Sequence, residues 1–242
     1  MVKLVIGREF NGPPDCGNGG YVCGVIAKDF PGPATAILGA RVPLEQRLDI
    51  LFEDGVMRLA DSEGGLIGRG ERADLSVLPK PPEAPSMRAA RAAGERYIGL
   101  SQRVHPTCLT CGPERRPGDG LRVFVGPIEG APAGHVAGIW TPHADFADPQ
   151  GLVPFELVWA ALDCPGAWAS GIVGREMVLG TMTARVHALP AVGEPHVVLA
   201  WPRGHAGRKF LSGTALYDGA GRLLAQAEAI WVAVRGASVR PA

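Results

Sequence analysis

Apolar and polar positions alternate along much of the chain in short runs separated by glycine- and proline-containing turns, and this pattern predicts strands. The first part of the chain contains four such runs, Leu38–Leu44, Arg47–Glu53, Val56–Asp61 and Leu66–Ala73. The second part contains another four, Gly180–Leu189, His196–Pro202, Lys209–Asp218 and Leu223–Val234. A helix-like apolar run precedes each set, Gly20–Lys28 and Phe155–Ala161. The sequence therefore predicts two units, each with one helix followed by several antiparallel strands.

The two predicted units share a sequence motif. Asp61–Glu71 and Asp218–Glu228 carry Asp, Gly, two aliphatic residues and Glu in register, 157 residues apart. Upstream, Ala40-Arg41-Val42 matches Ala184-Arg185-Val186 at a spacing of 144. The change in spacing indicates longer loops in the second unit. Two similar units in one chain predict a pair related by a pseudo-two-fold axis.

A proline-rich connector separates the units. Leu78–Ser86 contains four prolines in nine residues, which excludes a central strand or a helix interior. A short basic helix is expected after it, capped by Ser86 and ended near Gly94, followed by a loop. We therefore expect a first unit at 1–77, a connector at 78–119 and a second unit at 120–242.

The segment Gly17–Ala27, GNGGYVCGVIA, followed by a spaced strand and a DxxGxLxxxxE hairpin, resembles the hotdog fold. The duplicated arrangement is similar to that of double-hotdog acyl-CoA thioesterases, and the resemblance covers most of the chain outside the connector. It implies an α+β protein with a tandem (double) hotdog, two antiparallel sheets each wrapped around a central helix. It also implies hydrolysis of an acyl-CoA or related acyl thioester, without metal or cofactor.

The glycine-rich turn before the first helix has several interpretations. The spacing of Gly17, Gly19, Gly20 and Gly24 does not match a dinucleotide-binding fingerprint, and no P-loop Gly-Lys-Ser/Thr is present. Backbone N–H groups at a helix start can instead stabilise an oxyanion. The resemblance assigns this role to Gly19, Gly20 and Tyr21, with Asn18 positioning substrate or water. The alternative is a plain helix cap at Asn18.

Asp163 is the candidate general base. The first predicted helix has no acid near Val25, whereas the second carries Asp163 but lacks a glycine pair. Because hotdog sites draw on two subunits, the resemblance implies one composite site built from both units. Asp163 could otherwise belong to a turn that ends its helix at Asp-Cys-Pro-Gly. Glu156, seven residues earlier, is a weaker candidate on the same helical face.

His105, Cys108 and Cys111 form a second cluster in the connector. A closed zinc site needs four ligands, so Cys16 or another histidine would have to complete it. A disulfide or a plain turn explains the same residues, and we expect no metal. No HExxH or GxSxG motif is present.

Composition narrows the partners. The sequence is 46% hydrophobic and 20% charged, as in globular proteins, and Lys+Arg and Asp+Glu both total 24. This balance gives no basic field for nucleic acid or an anionic membrane. The short apolar run at the start, the lack of a transmembrane-length segment and the five cysteines predict a cytoplasmic protein. Its expected partner is an acyl-CoA or other acyl thioester. The resemblance also allows a homo-oligomer of double-hotdog chains, and the alternative function is a non-catalytic acyl-thioester or fatty-acyl binding protein.

Overall fold

The computed structural model describes residues 2–74, 76, 78 and 80–234. This part of the chain contains eleven strands, β1 (Val2–Val5), β2 (Ala34–Leu38), β3 (Arg47–Glu53), β4 (Val56–Asp61), β5 (Leu66–Arg72), β6 (Gly126–Pro127), β7 (Val136–Trp140), β8 (Met177–Val186), β9 (His196–Ala206), β10 (Lys209–Tyr217) and β11 (Leu223–Ala233). The α-helices are α1 (Gly19–Ala27), α2 (Met87–Gly94), α3 (Gly99–Gln102) and α4 (Phe155–Ala169). Residues 1, 75, 77, 79 and 235–242, which fall in the three predicted segments, lie outside the described residues.

All eleven strands belong to one antiparallel sheet, in the order β1-β3-β4-β5-β2-β8-β11-β10-β9-β7-β6. We call β1–β5 with α1 the first half, and β6–β11 with α4 the second half. In each half, the four strands that follow the central helix in the chain have the same spatial order. Counted outward from the central β2–β8 pair, the first of them is followed by the fourth, the third and the second, which gives β2-β5-β4-β3 and β8-β11-β10-β9. A strand that precedes the helix in the chain follows next, β1 or β7. The two halves therefore have the same topology, apart from the edge strand β6, which has no counterpart among the described residues of the first half.

The prediction of two separate sheets is wrong. β2 and β8 pair antiparallel from Ala34 with Ala184 to Ile37 with Thr181, and the Thr35 and Thr183 hydroxyls lie 2.8 Å apart in a hydrogen bond. Each strand would otherwise be the open edge of its own half, with unpaired backbone groups. Pairing them satisfies those groups and fuses the two halves.

The repeated motif forms the same turn in both halves. Asp61 Oδ1 accepts the N–H groups of Glu63 (3.0 Å) and Gly65 (2.7 Å). Asp218 Oδ1 accepts those of Ala220 (3.0 Å) and Arg222 (2.9 Å). Gly64 and Gly221 occupy the left-handed region, with φ of 85° and 81°. The repeat seen in the sequence is thus a repeat of structure.

Helices α1 and α4 pack against each other and against one face of the sheet. They run antiparallel, because Gly20 faces Asp163 while Gly24 faces Glu156. A Cβ on Gly20 would lie 2.4 Å from the Asp163 Cβ, and one on Gly24 would lie 2.6 Å from the Glu156 Cα. These two glycines therefore allow the close approach of the helices.

The connector helix α2 lies against the opposite face of the second half. Ser86 caps it as predicted, since its Oγ accepts the Ala89 N–H at 3.2 Å. Ala90 and Ala93 pack there with alternate residues of β9, including Leu199. Within the described residues no helix packs on the corresponding face of the first half, where Leu51 of β3 is exposed.

Two predicted element boundaries are wrong. The strand predicted at Leu38–Leu44 ends at Leu38, because the N–H groups of Gly39 and Ala40 both bond to the Ile67 carbonyl and the chain then leaves the sheet. Helix α4 continues past Ala161 and through Pro165 to Ala169. An internal proline costs about 3 kcal/mol, but both sides of α4 are buried and this packing outweighs the loss. Strands β1, β6 and β7 lie outside the predicted runs.

Candidate functional site

A cavity of about 510 Å³ lies beside the start of α1. The first half contributes residues 16–19 and 38–42, and the second half contributes parts of α4, β8 and β11. The connector adds His105, Cys108 and Cys111. The walls are mainly apolar, and among the described residues Arg41 is the one Lys or Arg that lines the cavity. Such a cavity suits an apolar chain with a polar group at one end.

Asp163 lies within α4, with only 3% of its surface exposed, and lines this cavity. Its Oδ2 accepts the Gly20 N–H at 2.9 Å. Its Oδ1 has no hydrogen-bond partner among the described residues. The acid of the second half is thus held at the helix start of the first half, and its second carboxylate oxygen is buried without a hydrogen-bond partner among the described residues.

Burial raises the pKa of the Asp163 carboxyl to about 7. The Gly20 N–H lowers this pKa, the electrostatic interaction with Cys108 raises it, and the Asn18 amide lowers it. Because desolvation dominates, the neutral and charged forms are close in free energy near neutral pH.

Asn18 is the N-cap of α1, and both ends of its side chain have partners. Oδ1 accepts the Tyr21 N–H at 2.9 Å, while Nδ2 donates to Thr110 Oγ1 at 3.3 Å and to Cys108 Sγ at 3.7 Å. The role of Asn18 in positioning substrate or water stays a prediction. In this structure Asn18 ties the start of α1 to the connector.

The three N–H groups predicted as oxyanion donors differ in their partners. The Gly20 N–H donates to the Asp163 carboxylate, and the Tyr21 N–H donates to the side chain of the N-cap Asn18. The Tyr21 ring stacks on Phe10, with centroids 4.2 Å apart. The Gly19 N–H has no partner among the described residues, and Gly19 lines the cavity. One of the three N–H groups therefore remains free at the cavity.

The connector contributes more to the site than the sequence indicates. Thr110 Oγ1 donates to the Ala160 carbonyl of α4 at 2.9 Å, which fixes the Cys108–Cys111 loop against that helix. Cys108, Cys111 and Cys164 bring their sulfur atoms within 4.8 Å of one another, and all three line the cavity. Cys164 follows Asp163 in the sequence, but its proximity to the connector depends on long-range packing.

All five cysteines are free thiols in this structure. Hydrogen bonds from Cys111 and Cys164 hold the pKa of the Cys108 thiol well below its usual range, helped by the backbone N–H groups of Cys111 and Thr110. Cys16 lines the cavity but lies outside the three-thiol cluster. The sequence interpretation, in which Cys16 or a histidine completes the group, missed Cys164.

The other candidates lie less centrally. His105 lines the cavity, and burial lowers its pKa. Glu156 does not line the cavity; its backbone lies against Gly24.

The arrangement of one antiparallel sheet with two central helices on one face defines the class of fold. No protein-family model and no curated protein matches the sequence. Solved structures do match, and they confirm the resemblance to hotdog-fold thioesterases at the level of the fold.

Three of these structures cover nearly the whole chain. A candidate thioesterase II from Thermobifida fusca YX has a TM-score of 0.60 at 16% identity, over 96% of this chain and 92% of that chain. A candidate thioesterase from Novosphingobium aromaticivorans DSM 12444 has a TM-score of 0.57 at 15% identity, over 95% and 94%. A candidate oleoyl thioesterase from Lactobacillus plantarum has a TM-score of 0.59 at 8% identity, over 96% and 95%.

Among the described helices, none has the length and apolar character that crossing a membrane requires.

Proposed function

We propose that this protein hydrolyses an acyl thioester, an acyl-CoA or a related molecule. Asp163 is the general base, and the Gly19 N–H stabilises the oxyanion. The observation that supports this proposal is the buried Asp163 carboxylate, held by Gly20 at the start of α1 with Oδ1 unpartnered in an apolar cavity.

The chemistry needs one water molecule and no group beyond the chain. Asp163 takes a proton from water as the water oxygen attacks the thioester carbonyl. Negative charge then develops on the carbonyl oxygen, where the Gly19 N–H and the positive end of the α1 dipole stabilise it. Collapse breaks the C–S bond, and Asp163 returns its proton to the departing thiolate. The products are a carboxylic acid and a thiol.

The repeat supports a double-hotdog arrangement for this proposal. The two halves share a strand order and a turn geometry, and their helices meet with one acid and one open helix start. We infer a pseudo-two-fold pair with a single composite site per chain. The division into units at 1–77 and 120–242 with a connector at 78–119 stays a prediction, as does the cytoplasmic location.

One observation favours the second candidate, a non-catalytic acyl-thioester binding protein. Two of the three N–H groups at the start of α1 already have partners, which leaves a single donor for an oxyanion. A binding protein needs only the cavity, whereas a hydrolase needs the Asp163 carboxylate in charged form. A variant that removes the Asp163 carboxylate therefore separates the two functions.

The test is hydrolysis of acyl-CoA substrates of graded chain length. The release of free thiol is measured, with substrate in large excess over the protein's own cysteines. Asp163→Asn keeps the side-chain shape and should lower kcat by about 10²–10⁴, the usual contribution of a general base. Glu156→Gln is the matched control and should leave kcat nearly unchanged. Wild-type protein that binds acyl-CoA without turnover would establish the binding protein instead. Equal turnover by wild type and Asp163→Asn would overturn the role of Asp163.

A further inference from the structure

The three-thiol cluster beside the cavity is not used by the proposed hydrolysis. Cys108 and Cys111 come from the connector, whereas Cys164 comes from α4. Their exposed fractions are 2%, 4% and 9%, and the Cys108 and Cys164 sulfur atoms are 3.5 Å apart. Two distant segments of the chain therefore bring three of its five cysteines to one buried point.

The spacing of the sulfur atoms matches a tetrahedral thiolate site. Zinc–sulfur bonds of about 2.3 Å at tetrahedral angles place sulfur atoms about 3.8 Å apart. In this structure the Cys108–Cys164 separation is 3.5 Å and all three atoms lie within 4.8 Å of one another. Side-chain rotation alone can bring such a group to one ion.

The loop around Cys108 has hydrogen bonds of the kind that orient metal ligands. The backbone amides of Thr110 and Cys111 face the Cys108 sulfur. The Gly112 N–H bonds to the Cys108 carbonyl at 2.9 Å, and a Cβ at Gly112 would lie 2.5 Å from that oxygen. Outside the loop, Tyr97 Oη donates to the Cys111 carbonyl at 2.8 Å, and Asn18 Nδ2 approaches the Cys108 sulfur. Hydrogen bonds of this kind orient metal ligands and hold their charge.

A second observation points into the same place. Asp163 precedes Cys164, is almost fully buried, lines the cavity, and keeps Oδ1 without a partner among the described residues. Thiolate ligands select soft ions such as zinc and copper(I), and a carboxylate or water can take a further position on zinc.

We propose that Cys108, Cys111 and Cys164 bind one zinc ion, with the fourth position open to the cavity. This site goes beyond the proposed function, which uses none of the three sulfur atoms. Binding displaces the thiol protons, so zinc uptake is accompanied by proton release.

The test uses the purified full chain. Zinc added in slight excess and followed by gel filtration should leave one ion per chain, and cobalt(II) in its place should give the thiolate charge-transfer absorption of a three-sulfur tetrahedral site. Single Cys108→Ser, Cys111→Ser and Cys164→Ser variants should each lose stoichiometric binding. Cys16→Ser is the matched control, because Cys16 lines the same cavity outside the cluster, and it should bind as wild type does.

A measurement on wild type keeps the test valid if a variant does not fold. Bound zinc should slow alkylation of the three cluster cysteines selectively, as mapped by mass spectrometry, and should leave Cys16 unaffected. Zinc bound at less than one ion per two chains, or equal protection of Cys16, would overturn the proposal. If the protein binds one copper(I) ion per chain and does not bind zinc, the choice of metal is overturned. Because none of these measurements uses turnover, their failure is independent of the hydrolysis assay.

Discussion

Helix α1 begins beside the cavity and is capped by the Asn18 side chain, whereas α4 begins after Pro154 with no side-chain cap. Helix α4 contains Asp163, whereas α1 contains no acidic residue, and the α1 residue that faces Asp163 is Gly20. Strand order and turns are the same in both halves, yet one helix supplies N–H groups and the other supplies the acid.

This difference teaches that topology and chemistry can diverge within one chain. The Asp61 and Asp218 turns stabilise the local backbone in each half, so both halves keep them. A site needs only one helix start and one carboxylate, and the antiparallel crossing of α1 and α4 brings a single such pair together. The following predictions compare matched positions of the two halves.

The largest effect is expected from removing the free N–H at the start of α1. Gly19→Pro deletes this donor at the first helical position, where proline is tolerated. Asn18 already has the extended backbone (φ −61°, ψ 126°) that a residue before proline prefers. Loss of one oxyanion donor should lower kcat by about 10²–10³ in steady-state assays.

Gly19→Ala is the control for this variant. It keeps the N–H but places a Cβ 2.9 Å from the Leu179 Cβ, so it measures the steric cost alone. Alanine and proline variants of equal activity would mean that the Gly19 N–H does not hold the oxyanion.

The next effect concerns the glycines that let α1 approach α4. Gly24→Ala raises helix propensity by about 1 kcal/mol, but its Cβ meets the Glu156 backbone, which cannot rotate away. Overpacking of this kind costs about 1–3 kcal/mol, so we expect a net loss of stability in urea unfolding. The reciprocal change, Ala160→Gly on buried α4, should cost about 1 kcal/mol through propensity. A Gly24→Ala variant more stable than wild type would show that the helices can separate at no cost.

A smaller effect should come from the two repeated turns. Asp61→Ala and Asp218→Ala each remove two hydrogen bonds from turn N–H groups, and each should cost about 1 kcal/mol. The additional Asp218 contact with exposed Arg222 should add little. Thermal unfolding of both variants measures the loss of stability at each turn. A large loss at one turn with none at the other would mean that the repeated motif supports only one half.

The smallest effect concerns the repeated arginines. Arg41 lines the cavity and is exposed, whereas its sequence counterpart Arg185 lies within β8 away from the cavity. If CoA phosphates contact Arg41, Arg41→Ala should raise KM for acyl-CoA by a few-fold, as an exposed ion pair of about 0.2–1 kcal/mol allows. Arg185→Ala should not raise it. The short thioester acyl-N-acetylcysteamine has no phosphates and should show no difference between wild type and Arg41→Ala. A matching rise for that substrate would exclude phosphate contact.

The local features of the fold could be predicted from the sequence. The Asp61 and Asp218 hairpins and the Ser86 cap follow from turn and cap chemistry within a few residues. Residues His196 to Trp201 of β9 form a continuous buried run, whereas β3 has buried positions that alternate with more exposed ones. A continuous run of this kind indicates a strand that is covered on both faces of the sheet.

The long-range features could not be predicted in the same way. The union of β2 with β8 depends on pairing between two edge strands, for which periodicity gives no partner. The length of α4 depends on burial that outweighs Pro165. At the site, Asp163 and the glycine pair were found by complementarity. The occupation of the Gly20 and Tyr21 N–H groups and the approach of Cys164 to the connector follow from helix packing alone.

The β2–β8 junction has a consequence for folding. Its backbone ladder and the Thr35–Thr183 hydrogen bond cross the middle of one continuous sheet, and the helices meet beside it. A half separated from its partner would expose a strand edge and the apolar side of its helix, which is the surface that templates aggregation. The chain is therefore expected to unfold in one cooperative transition, and the acid and the helix start keep their relative positions as long as the sheet persists.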